Sequence, residues 1–192
     1  MRNIIPLIAF LLTMSGVGAA ERINFFHIGL EQGLSQSTVI DILQDKRENM
    51  WIATHNGLNR YDGYDFTVYH HNEADTSSIA SDVIRSLALD ESGKIWIGTE
   101  AGLSLYNPEL DIFHNYSCVC EGKEQQVLDV VCLDKGNLLV ATDAGILLFD
   151  SRRGRFDRTQ IPADLQKIRP RTLARYGDEV YIGSYQGLFA CS

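Results

Sequence analysis

The sequence predicts an all-β fold, and two observations support this prediction. Runs of about four to seven residues, rich in β-branched and aromatic side chains, alternate with turns rich in Gly, Asn and Asp. The chain also repeats itself: Gly57, Gly102, Gly145 and Gly187 occupy the same point of four similar segments and lie 45, 43 and 42 residues apart. A period of roughly 40–45 residues with four strands per repeat is typical of β-propeller blades. We therefore predict four blades.

Four strands are expected in each repeat, and the second repeat illustrates them. The first strand is the apolar run at 84–89, which ends in Asp90. A tight turn carrying Gly93 leads into a strand with the sequence Ile-Trp-Ile-Gly-Thr, and the turn at 99–102 leads into the third strand. The last strand follows a polar turn and is centred in the first three repeats on Phe66, Phe113 or Phe156. No helix is expected beyond a single turn at 164–168.

The repeated residues have structural roles. Small residues recur where neighbouring sheets must approach closely, at Ala53, Gly98, Ala141 and Gly183. Bulky residues recur where the wedge between sheets widens, at Trp51, Trp96, Leu139 and Tyr181. An Asp that suits a turn cap recurs after the first strand, at Asp45, Asp90 and Asp134. Because these residue types recur in successive repeats, we interpret them as packing residues, with an aromatic ligand-binding stripe as the alternative.

Residues 1–20 are predicted to be a secretory signal peptide. Arg2 gives a short positive start, residues 4–14 are apolar, and the small residues Gly18 and Ala20 suit a cleavage site before Glu21. An uncleaved anchor or a buried strand is the alternative. The interpretation implies that the chain is exported and that it acts in the periplasm.

Residues 21–192 are predicted to hold the propeller repeats. Approximate boundaries are 28–75, 76–120, 121–163 and 164–192, with the fourth repeat cut short after its third strand. Residues 22–27 resemble an outermost strand, so a closed ring of four blades is one alternative. We favour an open arc that is an incomplete part of a wider propeller of about seven blades.

Charge and cysteine content exclude several classes of function. The formal net charge is −8 with no Lys/Arg cluster, so the chain is a poor partner for nucleic acid. The four cysteines lack the spacing of a zinc site, and the sequence does not decide their redox state: Cys118, Cys120, Cys132 and Cys191. We expect no metal and no cofactor.

Three motif strings carry a family resemblance. They are G-L-S-Q-S-T-V-x-x-I-L-Q-D at 33–45, M-W-I-A-T-x-x-G-L-N-R-Y-D-G-Y-x-F-x-V-Y at 50–69 and K-I-W-I-G-T-x-x-G-L at 94–103. Together they resemble the start of the two-component-regulator propeller, the periplasmic sensor region of hybrid histidine kinases in Gram-negative bacteria. The resemblance weakens in the later repeats, where Leu139 and Tyr181 replace Trp.

The resemblance implies a function in signal transduction. Such sensors recognise breakdown products of complex polysaccharides, and they continue into further blades, a membrane span and a cytoplasmic kinase. This chain has no kinase, ATP-binding or receiver motif. We therefore expect no catalysis in these residues, membrane attachment only through segments outside them, and either a fragment or a prematurely ended reading frame. The expected partners are an oligosaccharide or other small ligand, the remaining blades and kinase region, and a second copy in a homodimer.

Candidate ligand-binding residues lie where the repeats differ, in the turn between the second and third strands. They are Asn56, Glu100, Asp143, Tyr185 and Gln186. Polar, acidic and aromatic side chains at equivalent turns suit hydrogen bonds to sugar hydroxyls and stacking on a sugar ring. Variable, solvated loops without a ligand are the alternative.

Other chemistry-bearing residues do not form a recognisable catalytic site. His70 and His71 are expected on opposite faces of a strand, and the acid pairs Asp41/Asp45 and Glu73/Asp75 are expected to be solvated. Two rival functions remain: a periplasmic propeller enzyme, such as a lyase or glycan hydrolase, and a protein-binding scaffold.

Overall fold

The structure is a computed structural model that describes residues 24–120 and 122–191. The predicted signal peptide, at 1–20, lies outside the described residues. Those residues form antiparallel sheets with three short 3₁₀ turns, at Leu30–Gln32, Asp134–Gly136 and Leu165–Lys167. The all-β prediction is confirmed, and so is the single helical turn expected at 164–168.

Four successive sheets account for the repeats. Sheet 1 holds β1 (Val39–Gln44), β2 (Met50–Thr54), β3 (Leu58–Tyr61) and β4 (Phe66–Tyr69). Sheet 2 holds β5 (Ile84–Leu89), β6 (Ile95–Thr99), β7 (Gly102–Asn107) and β8 (Ile112–Tyr116). A two-stranded ribbon of β9 (Val119–Cys120) and β10 (Lys123–Glu124) follows.

The second half of the chain repeats this arrangement. Sheet 3 holds β11 (Val127–Cys132), β12 (Asn137–Thr142), β13 (Gly145–Asp150) and β14 (Arg155–Asp157). Sheet 4 holds β15 (Pro170–Tyr176), β16 (Glu179–Ser184) and β17 (Gly187–Cys191). Each strand pairs with the next one along the chain, which is the order expected of propeller blades.

Each sheet begins with an inner strand that carries a β-bulge at the same place. The inner strands are β1, β5, β11 and β15, and each contacts the inner strand of the next sheet. The pairing register of each one skips a single residue near its start, and the skipped residues are Ile40, Arg85, Leu128 and Arg171. A bulge leaves its extra residue out of the ladder and re-aims its side chain.

Aromatic residues fill the wedges between the first three sheets. Trp51 is 1% exposed, and its ring centroid lies 4.6 Å from that of Tyr106 in the next sheet. Trp96 repeats this arrangement, with its ring 5.5 Å from that of Phe149. Between sheets 3 and 4, Leu139 and neighbouring aliphatic side chains take the same place. The packing role predicted for the bulky positions is confirmed at Trp51, Trp96 and Leu139, whereas Tyr181 of sheet 4 is half-buried and belongs to none of these clusters.

Two glycines show why their positions need a residue without a side chain. A Cβ atom on Gly98 would lie 2.5 Å from Oγ of Ser86 in its own sheet and 2.8 Å from Cγ1 of Val127 in sheet 3, so sheets 2 and 3 touch there as predicted. Gly57 has φ = 101°, and a Cβ atom there would lie 2.8 Å from the carbonyl oxygen of Tyr69. At Gly183 the tight neighbour is Thr172 of its own sheet, so the predicted contact between sheets does not explain that position.

Three Asp residues that follow the inner strands were predicted to cap turns, and two of them do so. Asp45 accepts hydrogen bonds from the backbone N–H groups of Arg47 and Asn49, and its Oδ2 also accepts one from the indole Nε1 of Trp51 at 2.9 Å. Asp90 bonds Trp96 in the same way at 3.3 Å. Asp134 instead accepts a hydrogen bond from Nη2 of Arg175 at 2.6 Å.

Asp41 is not the solvated charge that the sequence predicts. Its carboxylate accepts hydrogen bonds from the backbone N–H of Ile42 at 2.8 Å and from that of Leu87, on the neighbouring inner strand, at 2.8 Å. The Asp129 carboxylate likewise accepts hydrogen bonds from the backbone N–H of Val130 and from that of Leu173 in sheet 4. These carboxylates therefore hold neighbouring sheets together.

The described sheets form an open arc. Sheet 1 packs on sheet 2, sheet 2 on sheet 3 and sheet 3 on sheet 4, whereas Ile42 of sheet 1 is 56% exposed and Leu188 of sheet 4 is 71% exposed. A closed ring of four would cover both faces. The outermost strand expected at 22–27 does not form where the structure describes it, because residues 24–27 pair with no strand and Phe25 is 90% exposed.

Candidate ligand-binding site at the channel mouth

The four inner strands enclose a central cavity. It has a volume of about 780 Å³, and all four bulge residues line it. A smaller cavity of about 270 Å³ lies between sheets 2, 3 and 4 and shares Arg85, Leu128 and Arg171 with the central one. We call this smaller cavity the mouth cavity.

Two of the residues predicted as ligand-binding line the mouth cavity, namely Asp143 and Tyr185. Asp143 follows β12, and Tyr185 follows β16, so both stand in the turn between the second and third strands of their sheets. Tyr185 is an exposed aromatic ring, which is the surface a sugar ring can stack on. Arg169 and Pro170 complete this side of the wall.

Glu100 is connected to the mouth cavity through Gln126. The Gln126 side chain donates a hydrogen bond to Oε1 of Glu100 at 3.2 Å, and its backbone N–H donates one to Oδ1 of Asp143 at 3.2 Å. Gln126 itself lines the cavity. It therefore joins the variable turns of sheets 2 and 3.

Gln186 supports the backbone of the site. Its side-chain oxygen accepts a hydrogen bond from the N–H of Arg169 at 3.1 Å, and the N–H of Tyr185 donates to the carbonyl of Arg169 at 3.2 Å. These two bonds fix the turn that carries Tyr185 against the segment that enters β15. Gln186 acts here on the protein's own backbone.

Asn56 is separate from this group. Its side chain donates a hydrogen bond to the carbonyl of Ser35 at 3.0 Å, and it lines neither the central cavity nor the mouth cavity. The structure therefore groups four of the five candidate residues at or beside the mouth cavity: Glu100, Asp143, Tyr185 and Gln186. The fifth, Asn56, lies apart from them on sheet 1.

Three arginines that the sequence analysis did not single out line the mouth cavity: Arg85, Arg169 and Arg171. The guanidinium carbon of Arg171 lies 5.6 Å from the ring centroid of Tyr185, which is cation–π distance. Nη2 of Arg85 lies 3.9 Å from Oε1 of Glu100, too far for a hydrogen bond. Arg85 and Arg171 are the extra residues of two β-bulges, and these bulges direct their side chains to the mouth cavity. Sequence periodicity does not reveal a bulge.

The histidine pair lies away from the mouth cavity and serves a loop. His70 and His71 follow β4 in a loop and do not belong to a strand, so the predicted opposite faces do not apply. Nδ1 of His70 lies 3.2 Å from Oδ1 of Asp82, and the backbone N–H of His71 donates to the same oxygen at 2.7 Å. The acid pair Glu73/Asp75 lies in an exposed loop, as predicted.

Within 24–120 and 122–191, no three His, Cys, Asp or Glu side chains are grouped to hold a metal ion.

The four cysteines are free thiols. Burial raises the pKa of Cys118 to about 12, and it raises that of Cys132 to the same value. Cys132 packs beside the core between sheets 2 and 3.

Comparison with known proteins connects the repeats to a family. Residues 33–56 and 78–101 match the two-component regulator propeller family. The two matches start 45 residues apart, which is the distance from Gly57 to Gly102. Two segments of the chain, one at each of the first two sheets, thus resemble the two-component regulator propeller repeat.

The chain is similar to parts of much longer proteins. A 48-residue stretch is 52% identical to histidine kinase P4 of Formosa agariphila and covers 25% of this chain and 4% of that protein. The extracellular domain of the hybrid two-component system BT3049 from B. thetaiotaomicron is 28% identical, with a TM-score of 0.72. The alignment covers 87% of this chain and 25% of that domain. The present chain therefore spans a quarter or less of these relatives.

A second solved structure shares the fold. The extracellular domain of BT4673 from the same organism is 21% identical, with a TM-score of 0.69, over 86% of this chain and 22% of that one. These structural relatives are extracellular domains of two-component systems. In the described part of this chain, no helix has the length and apolar character to cross a membrane.

Proposed function

We propose that these regulator propeller repeats are the ligand-sensing part of a hybrid two-component system on the periplasmic side of the membrane. The proposed ligand is an oligosaccharide released from a larger polysaccharide. The observation that carries the proposal is the mouth cavity, which joins the variable turns of three sheets in a fold shared with the extracellular domain of BT3049.

The chemistry of the mouth cavity suits a sugar. Asp143 and Gln126 offer acceptors and donors to hydroxyl groups, and the exposed ring of Tyr185 offers a flat apolar face. The cavity has room for one sugar ring, and the neighbouring central cavity leaves space for the next.

Binding at this place would bias the geometry of the arc. A ligand that contacts sheets 2, 3 and 4 at once stabilises the relative sheet positions in which all three contacts form. In the proposed system, the changed sheet positions alter the packing of further blades and then the state of a kinase region outside these residues. This coupling acts either within one chain or through a homodimer.

Isothermal titration calorimetry of the full chain against a panel of defined oligosaccharides tests the proposal. We expect saturable binding of at least one member of the panel, with the sugar recovered unchanged. Release of new sugar products would favour the enzyme alternative. An absence of binding across the panel would contradict the proposal and favour a protein-binding scaffold.

A further inference from the structure

We propose that the ligand of the mouth cavity is an acidic oligosaccharide, whose carboxylate or sulfate group is bound by Arg85 and Arg171. This inference rests on the proposed function and specifies its ligand class. Three features of the mouth cavity carry it: an unpartnered guanidinium nitrogen, a repeated bulge position and the local charge.

The first feature is the incomplete hydrogen bonding of Arg85. Its side chain is 29% exposed, and its Nε atom is buried without a hydrogen-bond partner among the described residues. Its charge is incompletely paired, because the nearest Glu100 oxygen lies 3.9 Å away. A polar N–H without a partner is costly, and the terminal nitrogens of Arg85 also donate no hydrogen bond among the described residues, so a ligand oxygen beside the guanidinium group would be favourable.

The second feature is the matched position of Arg85 and Arg171. Both are the extra residue of a bulge at the start of an inner strand, one in sheet 2 and one in sheet 4. Leu128 holds that position in sheet 3, between them. The repeat geometry thus places two guanidinium groups on the wall of one cavity, with an apolar side chain between them.

The third feature is a concentration of positive charge in an acidic chain. Arg85, Arg169 and Arg171 line the mouth cavity, against the single lining carboxylate of Asp143, whereas the whole chain has a net charge of −8. Asp143 already accepts the hydrogen bond of Gln126. Among the described residues, the guanidinium groups of Arg169 and Arg171 have no ion pair, and Arg171 stacks on Tyr185.

These features favour a sugar that carries an anion. A guanidinium group binds a carboxylate or a sulfate through parallel hydrogen bonds, and it binds a neutral hydroxyl less strongly. Tyr185 would contact the sugar ring while Arg171, which lies against the Tyr185 side chain, reaches the acidic substituent.

The test measures the affinity of the full chain by calorimetry for three trisaccharides: trigalacturonate, a sulfated galactotriose and neutral galactotriose. Inorganic sulfate alone is a fourth probe. We expect at least one acidic trisaccharide to bind ten times or more tightly than galactotriose. Inorganic sulfate is expected to bind more weakly than that sugar, because it lacks the ring that stacks on Tyr185.

Variants assign the effect to the two arginines. Arg85→Gln and Arg171→Gln should each weaken binding of the acidic sugar at least tenfold, and should weaken it by a larger factor than they weaken galactotriose binding. Arg152→Gln, an exposed arginine outside the mouth cavity, is the matched control and should have no effect. Thermal unfolding of each variant verifies that it is folded, and Arg171, which is exposed, provides the test if Arg85→Gln fails to fold.

The outcomes separate this inference from the proposed function. Equal binding of acidic and neutral sugars, or acidic binding that both glutamine variants retain, would overturn the inference and leave sugar sensing in place. Binding of inorganic sulfate with no binding of any trisaccharide would overturn the acidic-sugar ligand and leave an anion site alone. An absence of binding by all four probes would overturn the inference, and an absence of binding across the wider oligosaccharide panel would also overturn sugar sensing.

Discussion

Asp129 and Leu173 connect two sheets: Oδ2 of the Asp129 carboxylate accepts a hydrogen bond from the backbone N–H of Leu173 at 2.6 Å. Asp41 makes the same bond to Leu87, two sheets earlier. Each carboxylate also bonds the next N–H of its own strand, so two Asp residues satisfy the N–H groups beside all four bulges. At the equivalent position of sheet 2, the buried hydroxyl of Ser86 has no hydrogen-bond partner among the described residues.

Replacement of this Asp should loosen the arc. We expect Asp129→Ala to lower the free energy of unfolding by about 1–3 kcal/mol, because the N–H groups of Leu173 and Val130 lose their acceptor. Ser86→Ala, at the equivalent position, removes a hydroxyl without a partner and should have little effect. Urea denaturation of both variants measures the difference, and equal losses would contradict the role assigned to Asp129.

Stability should depend on pH through Asp111. Its Oδ1 accepts hydrogen bonds from the hydroxyl groups of Tyr106 at 2.6 Å and Tyr69 at 2.7 Å, and Nη1 of Arg60 lies 3.8 Å away. The bond from Tyr106 is the largest cause that holds the pKa of Asp111 below its usual value near 3.8. A carboxyl whose folded-state pKa is lowered stabilises the fold above its unfolded pKa, and this stabilisation is lost as the pH falls through the folded pKa.

Asp111→Asn tests this pH dependence. Asn tolerates the left-handed backbone at this position, where φ is 54°, so the substitution mainly removes the charge. Because the Asp111 side chain is 56% exposed and solvent screens its charge, we expect a loss of only about 0.5 kcal/mol in unfolding free energy at pH 7 that shrinks as the pH falls below 4. A difference between the two proteins that stays constant from pH 7 to pH 3 would contradict this role.

The contact between sheets 2 and 3 at Gly98 should not tolerate a methyl group. Gly98→Ala would place Cβ 2.5 Å from Oγ of Ser86 in its own sheet and 2.8 Å from Cγ1 of Val127 in sheet 3, and we expect a loss of about 1–3 kcal/mol. Val127→Ala removes Cγ1 and leaves the contact with Ser86, so the double variant should regain part of the loss and be more stable than the sum of the two single losses predicts. Additive losses, measured by thermal or urea unfolding, would mean that the clash with Val127 does not occur.

The buried thiols should react slowly. Because burial raises the pKa of Cys118 and Cys132 to about 12, the thiolate fraction at pH 8 is very small. We expect iodoacetamide to modify both cysteines at least about a hundredfold more slowly in the folded chain than in 8 M urea. Peptide mass spectrometry follows each site separately, and equal rates in the two conditions would refute the burial of these thiols.

The sequence was sufficient to predict the architecture because the repeat is strong. Gly57 and its equivalents, the Trp wedge at Trp51 and Trp96, and the Phe-centred last strands each have one physical role that recurs in successive sheets. Such recurrence separates packing residues from the rest even without a structure.

The site could be predicted only in part. The variable turns identified Asp143 and Tyr185, because those positions differ between repeats. Arg85 and Arg171 were missed because a bulge changes the direction of one side chain without disturbing the apolar pattern around it. The role of Asp41 was missed for a related reason: its acceptor bond reaches a backbone N–H in another sheet, which no local spacing reveals.

Hydrogen–deuterium exchange of the full chain, with and without a bound acidic oligosaccharide, tests most directly that ligand sensing occurs at the mouth cavity. The account predicts slower exchange in three segments that meet there: the residues around Gln126, the start of β15 at Arg171, and the turn at Tyr185. The turn at Asn56 should exchange at the same rate in both states. Protection at Asn56 with no change at the other three segments would contradict the account.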